Sequence, residues 1–474
     1  MSPPAPHQLA NGDAIFLSME TPTSSSHVGA ILVLDPSTAP GGFDYERLVE
    51  HIASRLVHVP RFTWRVKEVP FGLDRPYWTE APGFSVREHV IRTAVPSPGT
   101  RDQVNALAAR LHAQPMDRTR PLWEVWCIEG VEGGRVALYM KTHHCLVDGT
   151  GGAGLSEVLA DFTPDASGPA FVPPAFQEGV PRVPDPLDML RRTLRNDSER
   201  VLKLGSHLVR GIREVTRKRG QKGESGVIGE IPTLPFNANV ARRRAFASAT
   251  IDLERLSDLK KHFDVKLNDV VLALTGSAVR RWLRERDALP EKPAVAMCPV
   301  SIRGEEKGLG NQVTNMAVSL GTHIEDPIER LQEIHQSARR AKAAVEEGSF
   351  DSLAAVGECL KPAIANLFVR SASLAPTAML PGNLVVSNVR SAPMPLYLAG
   401  AQIETMMPLS ILQTGMGLNV TVISYCNKID VGVIVDPELV PDPQTIADAF
   451  EHALEELEGA ARGVRHVSDR RGAS

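Results

Sequence analysis

Cysteine is scarce in this chain, and the five that it has show none of the spacings typical of a metal site or a disulfide framework. Cys127, Cys145, Cys298, Cys359 and Cys426 are scattered without a CxxC pair, and their odd number argues against a secreted fold held by disulfides. We therefore expect the protein to work in a reducing, cytoplasmic environment.

The chain also lacks a strong charge of either sign and a long apolar run. Its net charge of −4 at pH 7 gives no reason to propose a nucleic acid as a partner. Residues 363–386 are apolar but contain Arg370, Pro376 and Pro381, so they fall short of the roughly 20 apolar residues of a spanning helix. Residues 1–13 have neither the basic nor the apolar region of a signal peptide. We expect peripheral contact with the inner membrane face or with lipid inclusions.

The remaining composition is that of an ordinary globular protein large enough for two domains. At 474 residues and 43% hydrophobic content, the chain can bury an extensive core. Prolines crowd between residues 164 and 186, which disfavours a regular helix and indicates a linker. We predict an N-terminal domain at 1–163, a linker with basic helices at 164–240 and a C-terminal domain at 241–474.

The most informative motif is a pair of histidines followed by an aspartate and a glycine, in the spacing HHxxxDG. Residues 135–142 alternate with the period of a β-strand, which delivers His143 and His144 to a loop that continues to Asp148 and Gly149. Histidine titrates near neutral pH and can therefore take a proton from an alcohol or a thiol. Asp148 would orient a histidine or brace the loop, and Gly149 permits a turn or the close approach of a substrate.

Two other interpretations of this region have less support. Neighbouring residues of a strand point to opposite faces, so His143 and His144 are poorly placed to bind one zinc ion, and no HExxH or paired CxxC adds ligands. Residues 149–154 fit the GxGxxG spacing, but the proline-rich sequence that follows lacks the second strand with an acidic end that a dinucleotide site needs. We therefore predict no bound metal and no dinucleotide cofactor.

One segment differs in charge from the rest of the chain. Residues 189–222 contain eleven Lys or Arg and three acidic residues, a net charge of +8, and their leucines, valine and isoleucine recur at helical spacing. Such a basic amphipathic segment is either a solvated helix that braces the two domains or an interfacial helix that lies on anionic lipid. The sequence leaves both alternatives open.

The second half alternates between strand and helix patterns. Strands are predicted at 247–253, 294–302 and 383–389, a hairpin at 418–425 and 429–435 around Asn427-Lys428, and helices at 256–263, 268–283 and 441–457. Asn268 is suited to cap its helix, with Asp269 complementing the positive end of the helix dipole. Interleaved strands and helices in both halves predict an α/β protein of the α+β sandwich type, with two layers of sheet covered by helices.

Beyond these patterns, the chain resembles a known family. His143-His144-x-x-x-Asp148-Gly149 is the signature of the coenzyme-A-dependent acyltransferase superfamily, which includes chloramphenicol acetyltransferase and the condensation domains of peptide synthetases. Further motifs resemble, in order, those of the bacterial wax ester synthase/diacylglycerol acyltransferases: Asp13-Ala14-Ile15-Phe16-Leu17, His27-Val28-Gly29, Pro121-Leu122-Trp123, Asn268-Asp269, Pro299-Val300-Ser301-Ile302-Arg303, Gly310-Asn311-Gln312, Ser387-Asn388-Val389 and Pro395-Leu396-Tyr397. The family's usual glycine and proline after Ser-Asn-Val are here Arg390-Ser391.

The resemblance implies a fold and a reaction. The fold would be two chloramphenicol-acetyltransferase-like domains with a tunnel between them. The reaction would transfer the acyl group of a fatty acyl-CoA, a co-substrate, to diacylglycerol or to a long-chain alcohol, without any other cofactor. His144 would be the general base, His143 would chiefly hold the loop, and no acyl-enzyme would form, in agreement with the lack of a GxSxG motif.

The resemblance also implies supporting roles for residues outside the motif. Asp148 would be an architectural anion paired with Arg303. The residues expected to line the acyl and acceptor tunnel, or to lie near the reacting centre, are Pro121, Leu122, Trp123, Asn268, Asp269, Ser387 and Asn388. Trp123 could equally be a core residue, and Asn388 could bind only backbone in a turn.

Two alternatives remain beside this interpretation. A condensation-type transferase would use another thioester donor, although the chain has no appended carrier or adenylation domain. A lipid-surface binding protein with a decayed active site would retain the basic segment, although the intact HHxxxDG, Asn-Asp and Ser-Asn positions argue against decay.

Overall fold

The computed structural model of the chain describes residues 7–146, 158–165, 184–197, 231–301, 313–346, 361–364, 367 and 381–472. The strands are β1 His27–Asp35, β2 Trp64–Lys67, β3 Tyr77–Glu80, β4 Val90–Ala94, β5 Trp123–Val131, β6 Arg135–His143, β7 Ala245–Asp252, β8 Val295–Ser301, β9 Val313–Ser319, β10 Leu384–Arg390, β11 Tyr397–Leu398, β12 Ala401–Leu409, β13 Leu418–Tyr425 and β14 Lys428–Val435. The α-helices whose two ends both lie among the described residues are α1 Asn11–Met19, α2 Tyr45–Leu56, α3 Arg101–His112, α4 Leu253–His262, α5 Leu267–Arg284, α6 Pro327–Glu346 and α7 Pro443–Gly472, and residues 186–197 are also helical.

The first sheet has the spatial order β11, β12, β1, β6, β5, β4. The strand predicted to deliver the histidines is confirmed as β6, which lies antiparallel between β1 and β5. Leu138 and Met140 enter one apolar core cluster, whereas Ala137 and Tyr139 enter another. Both faces of β6 are therefore packed against apolar side chains. This packing fixes the position of the strand that leads into the histidine turn.

The second sheet has the order β7, β14, β13, β10, β8, β9, and β10 runs parallel to both β13 and β8. Helix α5 packs against this layer together with α6 and α7. The sequence places the apolar residues Val271, Leu274, Ala278 and Trp282 along one face of α5, and all four are buried, as are Val270, Leu272 and Val279. The helix is thus surrounded by other elements along much of its length.

Strands from the C-terminal half complete the first sheet. β12 pairs antiparallel with β1, from Gly29 opposite Leu409 to Asp35 opposite Gln402, and β11 extends the same edge. The backbone N–H of Met406 in β12 donates to Oδ2 of Asp430 in β14, at 2.7 Å. The two sheets are therefore connected at β12.

Two local predictions differ from the structure. Asn268 was expected to cap its helix, but α5 begins one residue earlier with Lys266 as its N-cap, and the Asp269 carboxylate accepts the Lys266 backbone N–H at 3.0 Å. The C-terminal hairpin is confirmed, but its two-residue loop is Cys426-Asn427, because Lys428 already pairs with Tyr425 in the ladder. Among the helices that the structure describes, none has the length and apolar character needed to cross a bilayer.

Candidate active site

The two motif histidines lie where β6 ends and the chain turns. The His143 backbone N–H donates to the Leu122 carbonyl beside β5, and the His144 backbone N–H donates to the Ser26 carbonyl beside β1, each at 2.9 Å. The Leu146 N–H closes the turn on the His143 carbonyl at 2.9 Å. The backbone of both histidines is therefore fixed by the strands on either side.

His143 connects this turn to Glu20, which follows helix α1. Its Nδ1 accepts the Cys145 backbone N–H at 3.1 Å, so in the neutral ring the proton is on Nε2. Nε2 lies 3.3 Å from Oε1 of Glu20, and the His143 side chain is only 1% exposed. These contacts are those of a residue that holds the turn in place, the role that the resemblance implies for His143.

Glu20 is held by several donors at once. Oε1 accepts the Ser26 backbone N–H at 2.9 Å, and Oε2 accepts the Arg118 guanidinium at 2.8 Å. Burial alone would raise the pKa of Glu20, but the proximity of His143 and the hydrogen bonds from Ser26 and Arg118 lower it to about 2. Glu20 is therefore a permanent anion behind the histidines.

The sequence interpretation did not identify Glu20. Its only local signal is its position between the motif that ends at Leu17 and the one that begins at His27. The contact with His143 joins residues far apart in the chain, which local periodicity does not reveal.

His144 has a different environment from His143. Its ring lies against the ring of Phe16 in α1, with centroids 3.9 Å apart and planes inclined by 18°. Nδ1 is buried and has no hydrogen-bond partner in another described residue. Burial lowers the pKa of His144 to about 4, against the opposing effect of its own backbone carbonyl. The imidazole is therefore neutral at pH 7.

Cys145, the third residue of the turn, is not suited to act as a nucleophile. Its side chain is completely buried, and burial raises the pKa of the thiol well above its usual value. A reactive cysteine requires a thiolate in a partly exposed, electropositive setting. A covalent Cys–His mechanism is thus unsupported at this turn.

The Pro-Leu-Trp motif lies directly beside the histidines. The Leu122 carbonyl is the acceptor for His143 described above, and Trp123 is fully buried with its indole N–H donating to the Phe62 carbonyl at 2.7 Å. Pro121 is also buried. Leu122 and Trp123 belong to the core cluster of the first sheet, and a part in lining a tunnel stays a prediction.

The Asn-Asp and Ser-Asn motifs come together at the second sheet. Nδ2 of Asn388, near the end of β10, donates to Oδ1 of Asn268 at 3.4 Å. Ser387 precedes it as a partly buried residue of the same strand. Asp269, only 3% exposed, also lies 2.7 Å from Nδ1 of His335 in α6. The Asn268 side chain thus faces β10 instead of capping its helix, and the proximity of this pair to His144 stays a prediction.

Three predicted site residues, Asp148, Gly149 and Arg303, lie outside the described residues, and so does the basic segment after residue 197. Within the described part, residues 186–197 are helical, as predicted for the start of that segment. The described part of the chain contains no group of three His, Cys, Asp or Glu side chains that could hold a metal ion.

Comparison with known families gives matches along most of the chain. The family described as the wax ester synthase/diacylglycerol acyltransferase catalytic domain matches residues 9–271. The family described as the WS/DGAT C-terminal domain matches residues 309–458.

Individual proteins are similar over almost their whole length. The O-acyltransferase WSD of Acinetobacter baylyi is 30% identical, covering 94% of this chain and 96% of that protein. A Mycobacterium tuberculosis protein provisionally named as a diacylglycerol O-acyltransferase is 33% identical, covering 96% of this chain and 90% of the relative.

Solved structures show the same relationship. A wax ester synthase/diacylglycerol acyltransferase from Marinobacter aquaeolei VT8 has a TM-score of 0.68 at 27% identity, covering 96% of this chain and 99% of that one. The first condensation domain of the calcium-dependent antibiotic synthetase has a TM-score of 0.56 at 16% identity over 97% of each chain, a likeness of fold alone.

Proposed function

The chain belongs to the wax ester synthase/diacylglycerol acyltransferase family, and we propose that His144 is the general base of its acyl transfer. The resemblance noted in the motifs is confirmed, as is the two-domain fold of the chloramphenicol acetyltransferase type. The protein is an acyl-CoA-dependent O-acyltransferase.

In the proposed reaction, the hydroxyl group of the acceptor meets Nε2 of His144. As the hydroxyl oxygen attacks the thioester carbonyl carbon, its O–H bond breaks and the proton passes to Nε2. Collapse of the tetrahedral intermediate breaks the C–S bond and expels the CoA thiolate, which takes the proton back from the imidazolium. The products are an ester and free CoA, His144 returns to its neutral form, and no acyl-enzyme is needed.

The observation that carries the proposal is the environment of the His144 ring. Phe16 covers one face of the His144 ring, and Nδ1 is buried. In the proposed reaction, Nε2 is therefore the nitrogen that exchanges the proton. The lowered pKa keeps this ring unprotonated at neutral pH. Negative charge that develops on the attacking oxygen and the leaving thiolate would stabilise the imidazolium during the reaction.

Other residues would serve this base indirectly. Glu20 and His143 support the turn that positions His144. We also propose that Asp148 and Arg303 form the ion pair that braces the rest of the loop, and that removal of either partner destabilises it.

The proposed substrates follow from the family. Fatty acyl-CoA is the donor and co-substrate, diacylglycerol gives triacylglycerol, and a long-chain alcohol gives a wax ester. Because these acceptors are almost insoluble, we propose that the enzyme works as a cytoplasmic protein in peripheral contact with an anionic membrane or a lipid inclusion, using the basic residues 189–222.

Product analysis tests the reaction. Purified protein is given palmitoyl-CoA with dioleoylglycerol, hexadecanol or a soluble short-chain alcohol, and products are identified by thin-layer chromatography and mass spectrometry, with CoA thiol release as the rate. A parallel arm with a palmitoyl thioester on an acyl carrier protein tests a condensation-type donor. Ester formed only from the carrier thioester would overturn the assignment of acyl-CoA as the donor.

The matched variants His144→Ala and His143→Ala test the assignment of the base. We expect His144→Ala to lower kcat by about 10²–10⁴-fold with the fold intact, the usual effect of losing a positioned base, and His143→Ala to lower it less. Near-normal thiol release by a folded His144→Ala protein would show that another group takes the proton.

A further inference from the structure

An aromatic side chain stands almost completely in solvent at the turn between β2 and β3. Phe71 is 90% exposed and has a backbone φ of 59°, within a single 3-10 turn that spans Pro70–Gly72. This left-handed conformation is uncommon for a bulky residue and requires support from its surroundings. The fold therefore presents Phe71 to solvent instead of turning it into the core.

A helix beside this turn also presents large apolar side chains to solvent. In residues 186–197, Leu187, Leu190 and Leu194 recur at helical spacing and are 45–66% exposed, whereas Met189 and Thr193 are buried on the other side. An amphipathic helix of a globular protein normally turns its leucines inward. Here the apolar face points away from the protein.

The turn and the helix form the two walls of one apolar groove. It has a volume of about 740 Å³ and is lined by residues 67–72 and by Pro184, Asp185, Pro186 and Met189. A third short piece of chain adjoins it, because Ala363 packs against Gly72 and Lys361 donates to Asp197 at 2.7 Å. Ile364 and Leu367 of this piece are 50% and 69% exposed. We call Phe71, Leu187, Leu190, Leu194, Ile364 and Leu367 the apolar rim.

The charges beside the apolar rim favour an anionic partner. Arg191, Arg192 and Arg195 are exposed on the same helix. Its two aspartates are held in ion pairs, Asp188 with Arg192 and Asp197 with Lys361. Exposed leucines and phenylalanine flanked by arginine are the composition that partitions into the interface of an anionic bilayer.

We infer that the apolar rim is a lipid-docking surface, in which Phe71 and the leucines enter the acyl region of a bilayer or lipid inclusion while the exposed arginines of residues 186–197 lie near anionic headgroups. The inference deepens the proposed function, since it gives the place at which an enzyme with insoluble acceptors would meet them. Apolar insertion would provide most of the binding to lipid, so part of this binding should persist at high salt. Binding by charge alone would be lost at high salt.

Vesicle flotation with the full chain tests this surface. The test variant combines Phe71→Asn, which tolerates the left-handed backbone, with Leu190→Gln and Leu194→Gln, which suit an exposed helix. The matched control is Phe162→Asn, an exposed phenylalanine beside the edge strand β11. Vesicles are phosphatidylcholine alone or with phosphatidylglycerol, at low and high salt. We expect the triple variant to partition at least about tenfold more weakly than wild type on both vesicles and at both salt levels, because large apolar side chains are lost. The control should bind as wild type.

Two further measurements separate this inference from the proposed function. Turnover of palmitoyl-CoA with a soluble short-chain alcohol should be the same in wild type and triple variant, whereas turnover with vesicle-borne dioleoylglycerol should fall in the variant. Absence of turnover in wild type with every acceptor would contradict the proposed function and leave the flotation result standing. Equal flotation of wild type and variant would overturn the docking surface, and so would sedimentation showing that the rim pairs two copies of the chain.

Discussion

Phe16 lies flat against His144, with ring centroids 3.9 Å apart, and it closes one face of the proposed base to water. The two residues are far apart in the sequence, so the contact exists only in the folded protein. Burial of the ring favours the neutral imidazole, and this is the main reason that the pKa of His144 is about 4.

Phe16→Ala should therefore change the pH dependence of the reaction. Water would solvate the imidazolium and raise the pKa of His144 toward its usual 6.5, so the acid limb of kcat/KM should move to higher pH in the variant. The measurement is kcat/KM between pH 4.5 and 8 with a soluble alcohol. Phe84→Ala is the control, since Phe84 packs against His89 and Trp123 and not against His144. If the acid limbs of kcat/KM superimpose in wild type and both variants, Phe16 does not control the pKa of the base.

Glu20→Gln should lower both activity and stability. The amide keeps the size of the side chain but removes the charge that faces Arg118 and His143, and we expect a loss of about 1–3 kcal/mol of unfolding free energy with a clear fall in kcat. Glu68→Gln is the matched control, because Glu68 is the other carboxylate on Arg118, at 3.1 Å, and is half-exposed. Its loss should cost under about 1 kcal/mol. If the two substitutions have equal effects on activity and stability, Glu20 contributes no more than an exposed ion pair with Arg118.

Asn268 and Asn388 should act as one unit in catalysis. Their contact is long and exposed, so each alanine variant should change the unfolding free energy by less than about 0.5 kcal/mol. If the pair forms a single subsite, the double variant should lose no more activity than the worse single one. The cycle is measured as kcat/KM with one acceptor, and multiplicative losses would show that the two amides work independently.

The protein should lose stability as the pH falls below neutrality. Burial lowers the pKa of His27, His51, His89, His112 and His144 in the folded state. Below pH 6.5 these histidines therefore become protonated in the unfolded chain but stay neutral in the folded chain. The unfolding free energy accordingly decreases toward pH 4. Thermal unfolding at pH 7.5, 6.5 and 5.5 should show a falling Tm. A Tm that rises on acidification would contradict this origin of the titration.

The pattern of residues in the sequence was sufficient to predict the elements whose structure depends on residues close together in the chain. The alternation in residues 135–142 identified β6, and the apolar spacing of α5 identified its buried face, because both periodicities act within one element. The pair of histidines was found at the end of β6 for the same reason.

The surroundings of those histidines could not be predicted in this way. Phe16 and Glu20 reach them from the N-terminal segment, and Asn268 meets Asn388 across the second sheet. Such pairs are set by how sheets and helices pack, which leaves no periodic trace. The cap of α5 shows the same limit on a smaller scale, since His335 from another helix shares the Asp269 carboxylate.

The pairing of β12 with β1 also has a consequence for protein synthesis. A nascent chain that has emerged from the ribosome up to residue 146 contains β1, β4, β5 and β6. One edge of β1 is then still unpaired, because its partner β12 has not been synthesised. An open strand edge readily pairs with other chains. The N-terminal half must therefore wait, during translation of more than 250 further residues, for Leu409 to emerge from the ribosome. Domains generally fold as they are synthesised, but here the first sheet closes late, so chaperone protection during translation should govern the yield of folded enzyme.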